Sequence, residues 1–327
     1  MKRAYLILAH NDPNHLKKMI MSLGEKNDYY VHLDNKSDIS DFSSLLKENV
    51  FFIKQRINIS WGGFSMVEAM LELIKAALNS EIIYSHLVFL SGNDYPIKNE
   101  KIIDEFFERY SKNEIIRAYY ITGNLCPHCA EKIERKWFFD NKFKNPKLKK
   151  IYRSIKNSFV QFRKKSLYVN INSVPCKVAY GSQWFALTNE CAEYVISTVN
   201  NNPNLINYFK HSLAPDEMFF HTIIFNSRFS ENTIMNGIEE YSPEWHLNNY
   251  TYIDTTELNC KVTNKMTMKR LFVGFYKNIV IKKDNQGTVS FLTKKDFIHL
   301  KNCQYIFARK FNTRDSSDLI RMIEETK

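Results

Sequence analysis

The sequence predicts an α/β protein built on a mixed, mostly parallel sheet with helices on both faces, and three observations carry that expectation. Apolar strand-like runs alternate with helix-period segments through the first hundred residues. The chain has 327 residues, 44% of them hydrophobic, enough to fill a large core. No stretch rich in Gly, Ser or Pro divides it, so one domain over 1–327 is expected, with 1–110, 111–255 and 256–327 as its successive parts.

The elements follow in order. Ala4–Ala9 is a continuous apolar run and reads as a buried first strand. It is too short for a signal peptide, and His10-Asn11-Asp12 follows without a small-residue cleavage site. Leu16, Met19, Ile20 and Leu23 repeat at helical spacing across 14–23. Strands are expected at 29–33, ending at Asp34, and at 50–53. Val67, Met70, Leu71, Ile74 and Leu78 mark an amphipathic helix over 64–78. A strand at 86–90 stops at Ser91-Gly92-Asn93-Asp94, and a helix follows at 102–110. Ligands of such sheets gather where the strands end, here at His10, Asp34, 56–61 and 91–94. Further on, 177–187 reads as a strand, 190–199 as a helix, and 214–225 as a helix opened by Pro215. The last third shows strand-like runs at 271–275 and 279–281, and short helices at 294–300 and 316–324.

Composition narrows the chemistry. Only 9 residues are glycine, and neither GxGxxG nor GxxxxGK[ST] occurs, which excludes the glycine-built dinucleotide and P-loop cradles. The formal charge is +11, which favours anionic partners. Residues 142–165 hold ten basic side chains and no acid, with Leu148, Ile151, Tyr152, Ile155, Phe159 and Phe162 at helical spacing. They predict a basic amphipathic helix that either lies on an anionic membrane or packs on the core. No window is long and apolar enough for a transmembrane helix. The six scattered cysteines suggest free thiols in a reducing compartment.

Several short segments admit both a chemical and an ordinary reading. Cys126-Pro127-His128-Cys129 has the spacing of dithiol exchangers, or is simply two thiols in a loop; no second such pair completes a zinc site. Asp216 and Glu217 open an apolar helix, where the helix dipole alone would favour acids, or where one could serve as a catalytic base. Phe307-Ala308-Arg309-Lys310-Phe311 reads as a basic turn with its aromatics inward, either solvated or clamping a diphosphate. Ser91-Gly92-Asn93-Asp94 is turn chemistry and carries no D-x-D metal pair.

Seven segments occur in one order: Ala4–His10, His32–Lys36, Ser60–Ser65, Leu90–Lys98, Gly181–Phe185, Pro215–Glu217 and Phe307–Phe311. In that order they resemble the core-2/I-branching β-1,6-N-acetylglucosaminyltransferases, a group that includes the peptide O-xylosyltransferases. The resemblance implies a GT-A-like fold, a UDP-sugar donor, inversion at the anomeric carbon, and no metal or other cofactor. It assigns Glu217 as the base that deprotonates the acceptor, and Arg309 and Lys310 as the cations at the leaving diphosphate. It places His10, Asp34 and Asn58 at the nucleoside, Asp94, Gln183 and Trp184 near the donor sugar, and Lys132, Arg135 and Asp216 on the acceptor side. Asn58 stands where the vertebrate branching enzymes have a Tyr, Thr255 where they have an acceptor-side Trp, and no Arg occurs at 287–290. A different acceptor is therefore expected. The resemblance looks like a bacterial member at the cytoplasmic membrane face, transferring N-acetylglucosamine, or alternatively xylose or another hexose, to a glycan or lipid-linked saccharide. The competing expectations are a non-catalytic basic protein that binds membrane or nucleic acid, and a thiol oxidoreductase. No nucleic-acid module is recognisable, so a nucleic-acid partner is not expected.

Overall fold

The computed structural model describes residues 1–123, 126–140, 147–148, 151–152, 154–155, 165–241, 251–253 and 291–327. Its main sheet has five strands in the order β10-β4-β1-β2-β3: β1 Ala4–Ala9, β2 Asp28–Leu33, β3 Val50–Phe52, β4 Leu87–Ser91 and β10 Ala186–Leu187. The first four are parallel, and β10 runs antiparallel to β4.

The two-residue period of β1 explains why both faces are covered. Ala4 and Leu6 point to one core, with α2 (Ser65–Leu78), α5 (Asn189–Asn201) and α7 (Phe219–Phe225). Tyr5, Ile7 and Ala9 point to the other, with α1 (Pro13–Ser22), α3 (Glu100–Arg109) and the C-terminal α9 (Ser317–Thr326). Within α2, Val67, Met70, Leu73 and Ile74 are fully buried, as the helical spacing requires. Each such aliphatic side chain contributes roughly 1.5–3 kcal/mol, and Leu73→Ala would cost about 2–5 kcal/mol.

A second sheet carries the C-terminal motif to the ends of the main strands. β5 (Asp94–Pro96) pairs antiparallel with β12 (Phe307–Arg309), which pairs parallel with β11 (Thr251–Ile253). The Asp12 carboxylate both caps α1, through the His15 amide, and accepts the Thr313 amide and hydroxyl at 2.6 Å. That ties the segment after β12 to the loop after β1.

The expected 307–311 turn is therefore a strand, because its amides and carbonyls find a partner edge at β5; Phe307 and Phe311 do point inward, both fully buried. The single strand expected over 177–187 is instead two, β9 (Ala179–Gly181) and β10, in different sheets, with the chain turning at Ser182-Gln183-Trp184. β8 (Val174–Lys177) precedes them, in a hairpin with β7 (Tyr168–Ile171). The helix expected over 214–225 breaks at Met218 into a 3-10 turn, Pro215–Glu217, and α7. Two helices escaped the sequence reading: α4 (Pro127–Glu134) and α6 (Pro203–Phe209). The expected strands at 271–275 and 279–281, with Thr255 and 287–290, lie outside the described residues, as does most of 142–165. The described parts of that basic segment are helical at 147–148, 151–152 and 154–155, and Leu148, Ile151 and Ile155 are exposed. Among the described residues no helix is long and apolar enough to cross a membrane.

Candidate active site

The carboxyl ends of β1, β2 and β4 bring the first group of expected residues together. Asp34 follows β2, and its carboxylate accepts the Lys36 amide at 3.0 Å and pairs with the Lys36 ammonium at 2.7 Å. The same ammonium donates to the Asn58 side-chain oxygen at 3.2 Å, so Lys36 bridges two residues that lie far apart in sequence. His10 sits beside them, half-exposed to the same field. Partial burial, helped by the Lys310 and Lys36 charges and opposed by Asp34, holds its imidazole below the usual range and therefore neutral. Lys36 was part of a recognised segment but not a candidate; its place next to Asp34 was the available signal.

After β4 the chain turns sharply at Gly92, where an added Cβ would meet the Ala9 Cβ at 3.2 Å. That turn delivers Asp94, whose buried carboxylate accepts the Ser91 amide (2.7 Å), the Ser91 hydroxyl (3.1 Å) and the Trp184 indole N–H (2.9 Å). The β5–β12 register sets Arg309 opposite, its Nε 3.6 Å from Asp94 and its guanidinium on the Trp184 ring. Burial pushes the Asp94 carboxyl up against the pull of Arg309. Arg309 Nη1 is buried without a hydrogen-bond partner among the described residues. Lys310 comes next, its ammonium 5.1 Å from the Phe291 ring centroid. Gln183 is half-buried in the turn before Trp184.

Glu217 stands at the end of the 3-10 turn, whose entry is fixed by the Ala214 amide donating to the Gly62 carbonyl at 3.0 Å. Gly62 has φ +75°, and a Cβ there would press on Leu213 at 3.1 Å, so this corner of the Trp61-Gly62-Gly63 segment needs glycine. The Glu217 Oε2 accepts the Lys132 ammonium at 2.5 Å and the Tyr180 hydroxyl at 2.7 Å. Its side chain remains 31% exposed, whereas Asp216 beside it is buried. Burial and the Glu217 charge push the Asp216 carboxyl up. Glu217 is the more accessible of the two adjacent acids; Asp216, expected on the acceptor side, is buried. Arg135, at the end of α4, is exposed and pairs with Glu131 rather than reaching Glu217.

The two groups are joined by one short stretch. Tyr180 touches Glu217 and Trp184 touches Asp94 and Arg309, four residues and at most about 14 Å of chain apart. Tyr180 was not a candidate from sequence, although it immediately precedes the recognised Gly181–Phe185 segment. Cys126 and Cys129 form a disulfide in the first turn of α4 rather than the expected free thiols. Both are 1% exposed, closed to the partner thiol an exchanger must meet.

A family model described as Core-2/I-Branching enzyme matches residues 3–271. The chain belongs to that family. Curated relatives of this Core-2/I-Branching enzyme family member include a xylosyltransferase of Ciona intestinalis, 24% identical over 246 residues, covering 72% of this chain and 26% of that protein. Xylosyltransferase 2 of Homo sapiens is 22% identical over 334 residues, covering 98% of this chain and 33% of its own length. The chain thus spans about a quarter to a third of the curated relatives it matches. Among solved structures, mouse xyloside xylosyltransferase 1 in its apo form aligns with a TM-score of 0.31 and 12% identity, over 74% of this chain and 86% of that one.

Proposed function

We propose that this family member is an inverting glycosyltransferase that moves a sugar from a UDP-sugar to a hydroxyl of a glycan or lipid-linked saccharide. The observation that carries the reading is the pairing of an accessible carboxylate, Glu217, with a cationic edge at Arg309 and Lys310 across the Tyr180–Trp184 stretch. Glu217 takes the acceptor hydroxyl proton as the oxygen attacks the anomeric carbon from the face opposite UDP. The sugar–phosphate bond breaks, and its electron pair leaves on the β-phosphate oxygen. Lys310 meets that charge directly, and the unpartnered Nη1 of Arg309 supplies a further N–H. Asp34 and Lys36 lie where the ribose and base of the nucleotide would rest against the ends of β1 and β2.

Arg309 and Lys310 stand in this reading for the metal other glycosyltransferases use. Among the described residues no group of three His, Cys, Asp or Glu side chains could hold one. We take N-acetylglucosamine as the first donor to test and xylose as the second, the latter because the relatives carry that activity in their names. A cytoplasmic site of action, in surface polysaccharide assembly at the membrane face, belongs to the same proposal. UDP release measured with UDP-N-acetylglucosamine, UDP-xylose, UDP-galactose and UDP-glucose, each with a saccharide acceptor panel, tests it. Release from none of them, with intact fold and no UDP binding, overturns the reading.

A further inference from the structure

The two oxygens of the Glu217 carboxylate are treated differently. Oε2 accepts two hydrogen bonds, from Lys132 and Tyr180, while Oε1 has no partner among the described residues. We propose that Tyr180 is a positioning residue which, with Lys132, fixes Oε2 so that Oε1 is the oxygen presented to the acceptor hydroxyl. The proposal rests on the reading of Glu217 as the base.

The direction of each hydrogen bond is set by chemistry. The Lys132 ammonium has no lone pair and can only donate, and it lies 2.9 Å from the Tyr180 hydroxyl as well as 2.5 Å from Glu217. The phenol oxygen therefore accepts from Lys132, and its own proton is left to point at Oε2, 2.7 Å away. Three groups close a triangle in which no member can rotate without breaking two contacts. The ammonium also sits 4.6 Å from the Tyr180 ring centroid, adding a cation–π attraction.

Both donors come from one braced block. Tyr180 is registered against Tyr119 of β6 (Ala118–Tyr120), and the two rings pack 5.5 Å apart. The Tyr119 hydroxyl reaches Cys129 Sγ at 3.2 Å, in the turn of α4 that leads to Lys132. β9 is seated tightly, since a Cβ on Gly181 would fall 2.2 Å from the Arg117 carbonyl and 2.5 Å from the His221 ring. The groups facing Glu217 are then Lys132 from α4, Tyr180 from β9, Tyr119 from β6, and Asp216 on its own turn. Burial and the Glu217 charge drive the Tyr180 phenol well above its ordinary range, so it stays a donor across the working pH. What the two donors contribute is orientation: a base whose proton-accepting lone pair is already aimed avoids that ordering at the moment of transfer.

Tyr180→Phe keeps the ring and removes only the hydroxyl. Infrared difference spectroscopy, each protein against its Glu217→Gln counterpart, reads the Glu217 carboxylate without any substrate. Its carboxylate stretching bands should shift once a donor to Oε2 is lost, because the two oxygens are then less unequally bonded. With the UDP-sugar selected by the donor panel, kcat should fall about 10-fold at unchanged KM. If Tyr180→Phe does not fold, Lys132→Met approaches the same oxygen from α4 and should shift the same bands. Carboxylate bands and a kcat that overlay the wild type overturn the proposal. Retained turnover in Glu217→Gln removes the underlying reading instead; an inactive Glu217→Gln beside an unaltered Tyr180→Phe removes the positioning role alone.

Discussion

The guanidinium of Arg309 lies on the indole of Trp184, its Cζ 3.7 Å from the ring centroid. A cation stacked on Trp and paired to a buried Asp is held as part of the wall, and this divides the labour within Arg309-Lys310. Phe307 and Arg309 lie on the same side of β12, the one buried in the core and the other against Asp94, while Lys310 follows the strand half-buried with its ammonium 5.1 Å from the Phe291 ring centroid. In the proposed reading Arg309 serves mainly by keeping Trp184 and Asp94 in place, and Lys310 meets the phosphate.

Different losses follow for the two cations. Lys310→Ala should weaken UDP binding about 10-fold or more, the scale of one charge-assisted hydrogen bond, and move the unfolding midpoint less than Arg309→Ala does. Arg309→Ala should weaken UDP binding and also destabilise the fold by about 3–5 kcal/mol, because Asp94 is left buried without its counter-charge. Calorimetric UDP titration and urea unfolding of both variants check this. Equal stability of the two would show that Asp94 does not depend on Arg309.

Glu217→Gln should keep UDP affinity, since the side chain lies on the far side of the Tyr180–Trp184 stretch, and should cut turnover by ~10²-fold or more. The same isosteric change at Asp216 is expected to spare most turnover, because that carboxyl is buried and already drawn towards its neutral form. Steady-state rates of the two variants decide between adjacent acids; the reverse ranking transfers the role to Asp216.

Chelation is a further test. With Arg309 and Lys310 carrying the leaving charge, EDTA should leave turnover unaltered, and added Mn²⁺ or Mg²⁺ should not raise it by more than a general salt effect. Full dependence on a divalent ion would move attention to Asp94, the carboxylate nearest the cationic edge.

The strands and helices of the first hundred residues were legible because each buries a face with a clear period, and β1, β2 and α2 fall within a residue or two of their expected bounds. The residues of the candidate site could be named from sequence, since Asp94, Trp184, Arg309 and Glu217 sit in recognisable segments. Its wiring was not. Whether Arg309 faces water or Trp184 depends on the pairing of β5 with β12, over two hundred residues apart, which no local pattern encodes. Tyr180 looked like one more strand aromatic until β9 and α4 met over Glu217. The break at Met218 also hid, because Pro215 and the apolar run after it satisfy every local rule for one continuous helix.

Two buried groups should give the stability of this protein opposite responses to acid. His86 is buried with its Nε2 bonded to the Asn113 carbonyl, and burial lowers its pKa to about 4. The unfolded chain takes up a proton below about 6.5 while the native state refuses it, so this contribution is complete above pH 6.5 and is lost as the pH falls towards 4. Glu114 is buried beneath the start of α5, accepting the Thr188 amide and hydroxyl, and burial raises its pKa to about 7. Here the native state holds the proton that the unfolded chain releases above about 4.5, so its contribution is complete below 4.5 and is lost as the pH rises through 7. Each group tilts the stability curve by about 1.4 kcal/mol per pH unit within its window, with opposite sign. Urea unfolding between pH 4.5 and 7 should therefore show a shallower acid loss in His86→Gln than in the wild type, and a steeper one in Glu114→Gln. Parallel curves for all three proteins would mean that neither group keeps its native protonation state across that range.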